Sequence, residues 1–345
     1  PMIVAALLHD IGHGPFSHEF ESVCRELDLE FDHEAMTVLL IKLMWVQEEH
    51  VKGLFTEDEW SAIIECITGE KDAAHAKPWQ VELISGKVDV DKLDYLCRDF
   101  KNIGMASEMD STQAMYIIEH TRLTPDDHLC YDVSALYSIA ALYRARQVLH
   151  ESVCMHHTVL GMKLMLQEAV KNSPELQELV RRSVSNVNDF VKINDTFLNT
   201  FVEHTEEESD GVRLAREIEF KRRIPAHLGI ISNHERVGTS FKITNPSLVL
   251  VSVRIGFGKS EENVLLSIPF INKDLEPVNV KDLINQTVLP EVCTVMKHYV
   301  FVHPLCTLTD EEMLAEQEGL KAAFGDRDGF TWTRRPLSLH GEVLK

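Results

Sequence analysis

The sequence predicts a mainly α fold, a helical core over residues 1–200 followed by a smaller α+β region over 201–345. Three observations carry this. Apolar residues recur at three and four spacing through most of the first 200 positions. After about residue 245 the texture changes to short runs rich in Val, Ile and Leu. Between the periodic stretches fall Gly, Pro, Ser and Asp clusters of the kind that end helices.

In chain order, helical periodicity is clear over residues 36–44, 136–153 and 159–170. Breakers stand at Gly14-Pro15, Ser85-Gly86, residues 124–127 and Ser173-Pro174. Residues 211–224 (GVRLAREIEFKRRI) read as a last amphipathic helix, with basic residues near its C-terminal end where the helix dipole favours them. Residues 248–255 and 264–271, separated by a turn at 258–263, read as two paired strands, and 299–302 as a third. The final ~40 residues are more polar and carry no clear period.

Composition narrows the possibilities. A chain of 345 residues is long enough for one large domain or two of roughly 150 residues. With 44% apolar residues it is globular. The net charge of −21 repels nucleic-acid backbones and anionic lipid, so nucleic acid is not expected as the main partner. No apolar run approaches the ~20 residues of a membrane span. The seven cysteines are scattered, with no CxxC pair, which fits a reducing intracellular compartment, cytoplasmic or nuclear. The chain opens without Met, inside what reads as a helix, so it is expected to be a fragment.

Four segments carry chemistry. Residues 7–21 (LLHDIGHGPFSHEFE) crowd His9, Asp10, His13, His18 and Glu19 into one stretch. Imidazole beside carboxylate suits a divalent cation, and His9 and His13 would share a face if a helix ran that far. A polar helix end explains a lone His-Asp pair but not this density. Residues 31–34 (FDHE) are weaker, since a helix N-terminus looks the same. On the helix expected over 88–99, Asp91, Tyr95 and Asp99 stack at i, i+4 and i+8 beside Lys92; the plain alternative there is a solvated helix with an Asp94–Arg98 pair. On the helix through 142–157, Arg146, His150 and Cys154 share a face, and an inward Arg grips phosphate oxygens well. For any single Arg, an exposed position is the commoner case.

Together these segments resemble the HD-domain deoxynucleoside triphosphate triphosphohydrolases, most of all the animal type that joins a sterile-alpha-motif domain to an HD domain. The resemblance rests on residues 7–21, FDHE and 88–105 (VDVDKLDYLCRDFKNIGM), and runs more weakly through 188–198 (NDFVKINDTFL), 214–224 (LAREIEFKRRI) and 252–263. It implies an HD helical core that hydrolyses dNTPs to deoxynucleoside and inorganic triphosphate. By matching positions it implies that His9, Asp10 and Asp91 are metal ligands, and that His13, His18 and His33 touch phosphates or move protons, with Glu21 supporting His18. It implies that Lys92, Tyr95 and Arg146 hold the triphosphate and Asp99 the sugar 3′-hydroxyl, with His150 and Cys154 completing the substrate-binding set. Family members assemble as dimers or tetramers and are often activated by nucleotides at separate sites, which makes 201–345 a candidate assembly or regulatory region.

Mixed His and carboxylate ligands suit iron, manganese or zinc, with magnesium able to accompany the triphosphate. Three departures accompany the likeness. A metal-ligand His of the family lies upstream of the His-Asp pair, outside this sequence. A family Tyr near the sugar falls on Cys154. The sterile-alpha-motif domain and the upstream activator-site residues are absent from these 345 positions. Two other readings stay open: an HD phosphohydrolase of nucleoside monophosphates or cyclic phosphodiesters, and a catalytically silent nucleotide sensor.

Overall fold

The computed structural model describes residues 1–70, 72–206, 208–233, 243, 245–258, 263–283, 294–324 and 331–332. Its contacts group into two compact units, each discontinuous in sequence. The first comprises residues 1–13, 32–150 and 256–293; the second comprises 14–31, 151–255 and 294–345. Residue 200 therefore marks no boundary between units. The chain is mainly α, as its periodicity predicts.

The first unit is built on helices Met2–Leu8, His33–Gln47, Glu57–Thr68, Pro78–Ser85, Val90–Ile103 and Leu136–Leu149. Ala5, Ile41, Trp60, Ile63, Cys66, Ile67 and Ile84 form one buried cluster that ties the first four together. Side-chain caps set several helix starts. Asp32 accepts from Ala35 N at 2.8 Å, Asp89 from Lys92 N at 2.8 Å, and Thr56 forms a capping box with Glu59. The Leu136–Leu149 helix is buried nearly all round, including Leu136, Ile139, Ala140, Leu142, Tyr143 and Leu149.

A small sheet completes this unit, with Thr121–Leu123, Leu129–Asp132, Phe270–Ile271 and Pro277–Val278 in that order. It corrects one expectation. Residues 264–271 are not a strand paired with 248–255. Val264–Ser267 is a 3₁₀ turn capped by Asn263, and Pro269 separates it from Phe270–Ile271, which pairs in parallel with Leu129–Asp132. Most of the turn expected at 258–263 lies outside the described residues.

The second unit has its own sheet, with Leu248–Gly256, Thr294–Val302, His227–Asn233 and Thr331–Trp332 in order. The run Tyr299-Val300-Phe301-Val302 is continuously apolar because both faces are covered. Val300 and Val302 pack with Leu228, Ile231, Met313 and Leu320, the last two from the helix Asp310–Phe324. Tyr299 and Phe301 pack with Leu160 and Leu164 of the helix His157–Lys171. Residues 211–224 depart from a single helix: Asp210–Arg216 is α and Glu217–Lys221 continues as a π turn.

His227 opens one strand of this sheet among the rings of His157, Tyr299 and Phe301. Burial, then the neighbouring His157, lowers its pKa to about 4. The imidazole is thus neutral in the fold, while the unfolded chain takes a proton near pH 6.5. The His227 contribution to stability should be full above pH 6.5 and be lost as the pH drops towards 4, by about 3 kcal/mol at the limit. His227→Phe should flatten urea-unfolding stability across that window; an unchanged slope would show that His227 is not the responsible group.

Candidate metal centre

The helix Met2–Leu8 ends just before His9, so His9 to His13 is a chain of turns and not a further helical turn. Ile11 N donates to Leu8 O at 3.2 Å and His13 N to Asp10 O at 3.1 Å. His9 and His13 are therefore not stacked on one helix face as the spacing suggested. The turn is instead fixed from outside. Gly12 N donates to Thr37 Oγ1 at 2.9 Å, and Thr37 Oγ1 donates to His9 O at 3.1 Å.

Asp91 arrives on the first turn of the helix Val90–Ile103. The approach to that helix is held by buried tyrosines: Tyr143 Oη donates to Lys87 O at 2.7 Å and Tyr131 Oη to Val88 O at 3.4 Å. The result brings His9, Asp10 and Asp91 together, with one ligand atom from each inside a 4.8 Å group. His9 Nε2 lies 3.2 Å from Asp10 Oδ2 and 3.7 Å from Asp91 Oδ1.

The donor set fits a divalent cation. His9 Nδ1 sits 2.8 Å from Ala6 O, an oxygen that can only accept, so Nδ1 carries the proton of the neutral ring. This leaves the Nε2 lone pair buried, without a hydrogen bond of good geometry, and facing two carboxylates. Such an arrangement is repulsive unless a positive charge sits in it. Without metal a proton takes that place: the Asp10 carboxylate outweighs burial and pushes His9 up to about 9. His9 correspondingly lowers Asp10, whereas burial and then the Asp89 charge raise Asp91. An imidazole whose other nitrogen bonds a backbone carbonyl is the usual form of a metal-bound His.

His13 lies 3.7 Å from Asp10 Oδ1, and its ring stacks on His33 at 4.0 Å. Asp32 caps the helix that His33 begins, so the plain helix-start reading of FDHE is present. His18, Glu21 and Cys154 belong to the second unit. There the backbone before His18 is unusual. Phe16 and Ser17 have φ of 63° and 55°, a region costly for non-glycine residues and often kept near functional groups. Phe16 N donates to Asp195 Oδ1 at 2.8 Å, which secures the turn. His18 is well exposed and 3.9 Å from Glu21. Glu19, counted among possible ligands, is instead buried against Lys163 and Gln167.

The expected phosphate-binding residues divide. Lys92 and Arg146 line one cavity of about 660 Å³ with Lys87, Tyr131 and Tyr143, whereas Tyr95 and Asp99 are not part of its wall. The Lys92 ammonium is already engaged by buried Asp89 and by Gly86 O. Arg146 is half-buried and, among the described residues, its guanidinium has no hydrogen bond or ion pair. Asp99 accepts from Arg98, which also bonds Asp94, so the plain solvated-helix pairing is present as well. The helix bearing Arg146 ends at Leu149, and His150–Cys154 is a π turn. Bonding i to i+5 breaks the i, i+4 alignment that placed Cys154 on the Arg146 face. Thr37 and the two tyrosines were missed because each acts on backbone groups far away in sequence, and Asp89 because its local cap also engages the Lys92 side chain. Only Asp89, at the N-cap position before a periodic stretch, left a local signal.

Residues 2–99 match the family model described as HD domain. The match covers less than a third of the chain and includes the His9-Asp10 pair and Asp91. Among curated proteins, a deoxynucleoside triphosphate triphosphohydrolase SAMHD1 homolog of Dictyostelium discoideum is 25% identical over 284 residues, covering 80% of this chain and 53% of that protein. The putative HD domain-containing protein L394 of Acanthamoeba polyphaga mimivirus is 26% identical, covering 59% and 43%. The Homo sapiens deoxynucleoside triphosphate triphosphohydrolase SAMHD1 is 22% identical, covering 63% and 40%. The chain thus spans about half the length of the first relative and less of the other two. The matched segment contains His9, Asp10, His13, His18, Glu21, His33, Asp91, Lys92, Tyr95 and Asp99; Arg146, His150 and Cys154 lie beyond it. No helix of the described residues is long and apolar enough to cross a membrane.

Proposed function

We propose that this chain is a metal-dependent phosphohydrolase whose substrate is a dNTP, cleaved to deoxynucleoside and inorganic triphosphate. The observation that carries the reading is the buried His9 Nε2 facing the Asp10 and Asp91 carboxylates inside the segment that matches the HD domain. The SAMHD1-type relatives favour the dNTP as substrate. A divalent cation on His9, Asp10 and Asp91 would supply Lewis acidity towards water and phosphate oxygens.

The remaining roles belong to the protein. Arg146 offers a forked guanidinium to phosphate oxygens, and its freedom from other partners favours it over Lys92, which would share its charge with Asp89. Tyr95 contributes a phenol to the same triphosphate, and Asp99 accepts from the sugar 3′-hydroxyl. His13 and His33 compensate charge on the phosphates. His18, oriented by Glu21, protonates the departing nucleoside oxygen, an effect typically worth about 10²–10⁴-fold. His150 and Cys154 would complete the sugar and base side. By the same likeness, residues 201–345 serve homo-oligomer assembly and response to an activating nucleotide, in an intracellular compartment.

The test is product analysis with Mn²⁺ and each dNTP. Equimolar triphosphate and deoxynucleoside are expected. Hydrolysis of monophosphates or cyclic phosphodiesters with no triphosphate would assign the other HD chemistry. Stoichiometric dNTP binding without turnover would assign a silent sensor.

A further inference from the structure

Thr37 lies on the helix His33–Gln47 and is fully buried. A helical Thr commonly returns its hydroxyl to the carbonyl one turn back. Here the hydroxyl reaches another segment and makes two bonds of opposite sense, accepting from Gly12 N and donating to His9 O. Asp10 lies between the two bonded residues. The contact is close on all sides: a Cβ on Gly12 would stand 2.1 Å from His33 O and 2.3 Å from Thr37 N. One hydroxyl thus bonds the backbone on both sides of Asp10 to the His33 helix.

We propose that Thr37 is a positioning residue for the metal centre. Its hydroxyl holds the His9–Gly12 backbone so that His9 Nε2 and an Asp10 oxygen converge with Asp91. The inference rests on the reading of His9, Asp10 and Asp91 as metal ligands. Thr37 touches neither the cation nor the substrate. It acts by removing the freedom of the turn from which two ligands leave, and a preorganised ligand set binds more tightly than one that must order itself.

The test is calorimetric titration of Mn²⁺ into the full chain as wild type, Thr37→Val and Thr37→Ser. Valine keeps the shape and loses the hydroxyl, so Mn²⁺ affinity should fall roughly 10–100-fold, the usual effect of losing an outer partner of a metal site. Serine keeps the hydroxyl and should stay within about threefold of wild type. Equal affinity for wild type and Thr37→Val overturns the inference. So does an equal loss in both variants, which would assign the effect to the packing of the methyl group. Should Thr37→Val not fold, Thr37→Ser must still bind as wild type does, and the Gly12 amide of the metal-free wild type must exchange slowly; exchange at the rate of an open loop overturns the inference. A wild-type chain that takes up no Mn²⁺ removes the metal-site reading itself, and the inference with it.

Discussion

Replacing Asp91 by alanine is expected to remove bound metal and turnover together. Losing an outer partner of a metal ligand already costs about 10–100-fold in affinity, and a direct ligand should cost more. The metal-free protein should not suffer in the same way. Asp91 is half-buried, and burial, then the Asp89 charge, raises its pKa against the pull of His9, so its charge is held less favourably than in water. The thermal midpoint of metal-free Asp91→Ala should therefore equal or exceed that of wild type. Mn²⁺ titration, dNTP turnover and calorimetric unfolding check the three parts. Stoichiometric metal with full activity in the variant would sink the assignment of Asp91 as a ligand.

Gly12→Ala should be the most damaging single methyl in the metal centre. The new Cβ would meet His33 O and Thr37 N at 2.1 and 2.3 Å, both backbone atoms of one helix, and no rotamer change can move them. The helix or the turn must shift, at about 3 kcal/mol or more for overpacking of this severity. Because the turn carries His9 and Asp10, Mn²⁺ affinity should fall with stability. Gly319→Ala provides the contrast. Nothing lies within 4 Å of a Cβ there, on the helix Asp310–Phe324, so that change should stabilise by up to ~1 kcal/mol. Urea unfolding of the two variants separates crowding from a general intolerance of alanine. Equal stabilities would show that the turn at Gly12 yields more easily than its contacts indicate.

Several features could be read from local pattern alone. The helices His33–Gln47, Val90–Ile103 and His157–Lys171 follow from apolar spacing and from caps at Asp32, Asp89 and His156, because capping and periodicity are properties of neighbouring residues. The strands Leu248–Gly256 and Thr294–Val302 were visible for the same reason. Their pairing was not. The run at 264–271 has strand composition, yet Asn263 and Pro269 divide it, and its strand residues join Leu129–Asp132 more than 130 positions earlier in the chain.

The candidate site divides in the same way. Density of His and Asp over residues 9–18, and the carboxylates of the 88–99 segment, marked both stretches as ligand-bearing, because ligand chemistry is a matter of residue type, and the family resemblance singled out His9, Asp10 and Asp91 within them. Their convergence was decided by tertiary contacts. Thr37 pins the turn across 25 positions, Tyr143 holds the Asp91 approach across 56, and both do so through backbone carbonyls or amides that every residue possesses. Such bonds leave no mark in sequence. The same holds for Lys92 and Arg146. Sequence marks both as cations, but only the fold engages Lys92 with Asp89 and leaves Arg146 open to a cavity, since which carboxylate lies within reach depends on how helices pack and not on the order of residues along one of them.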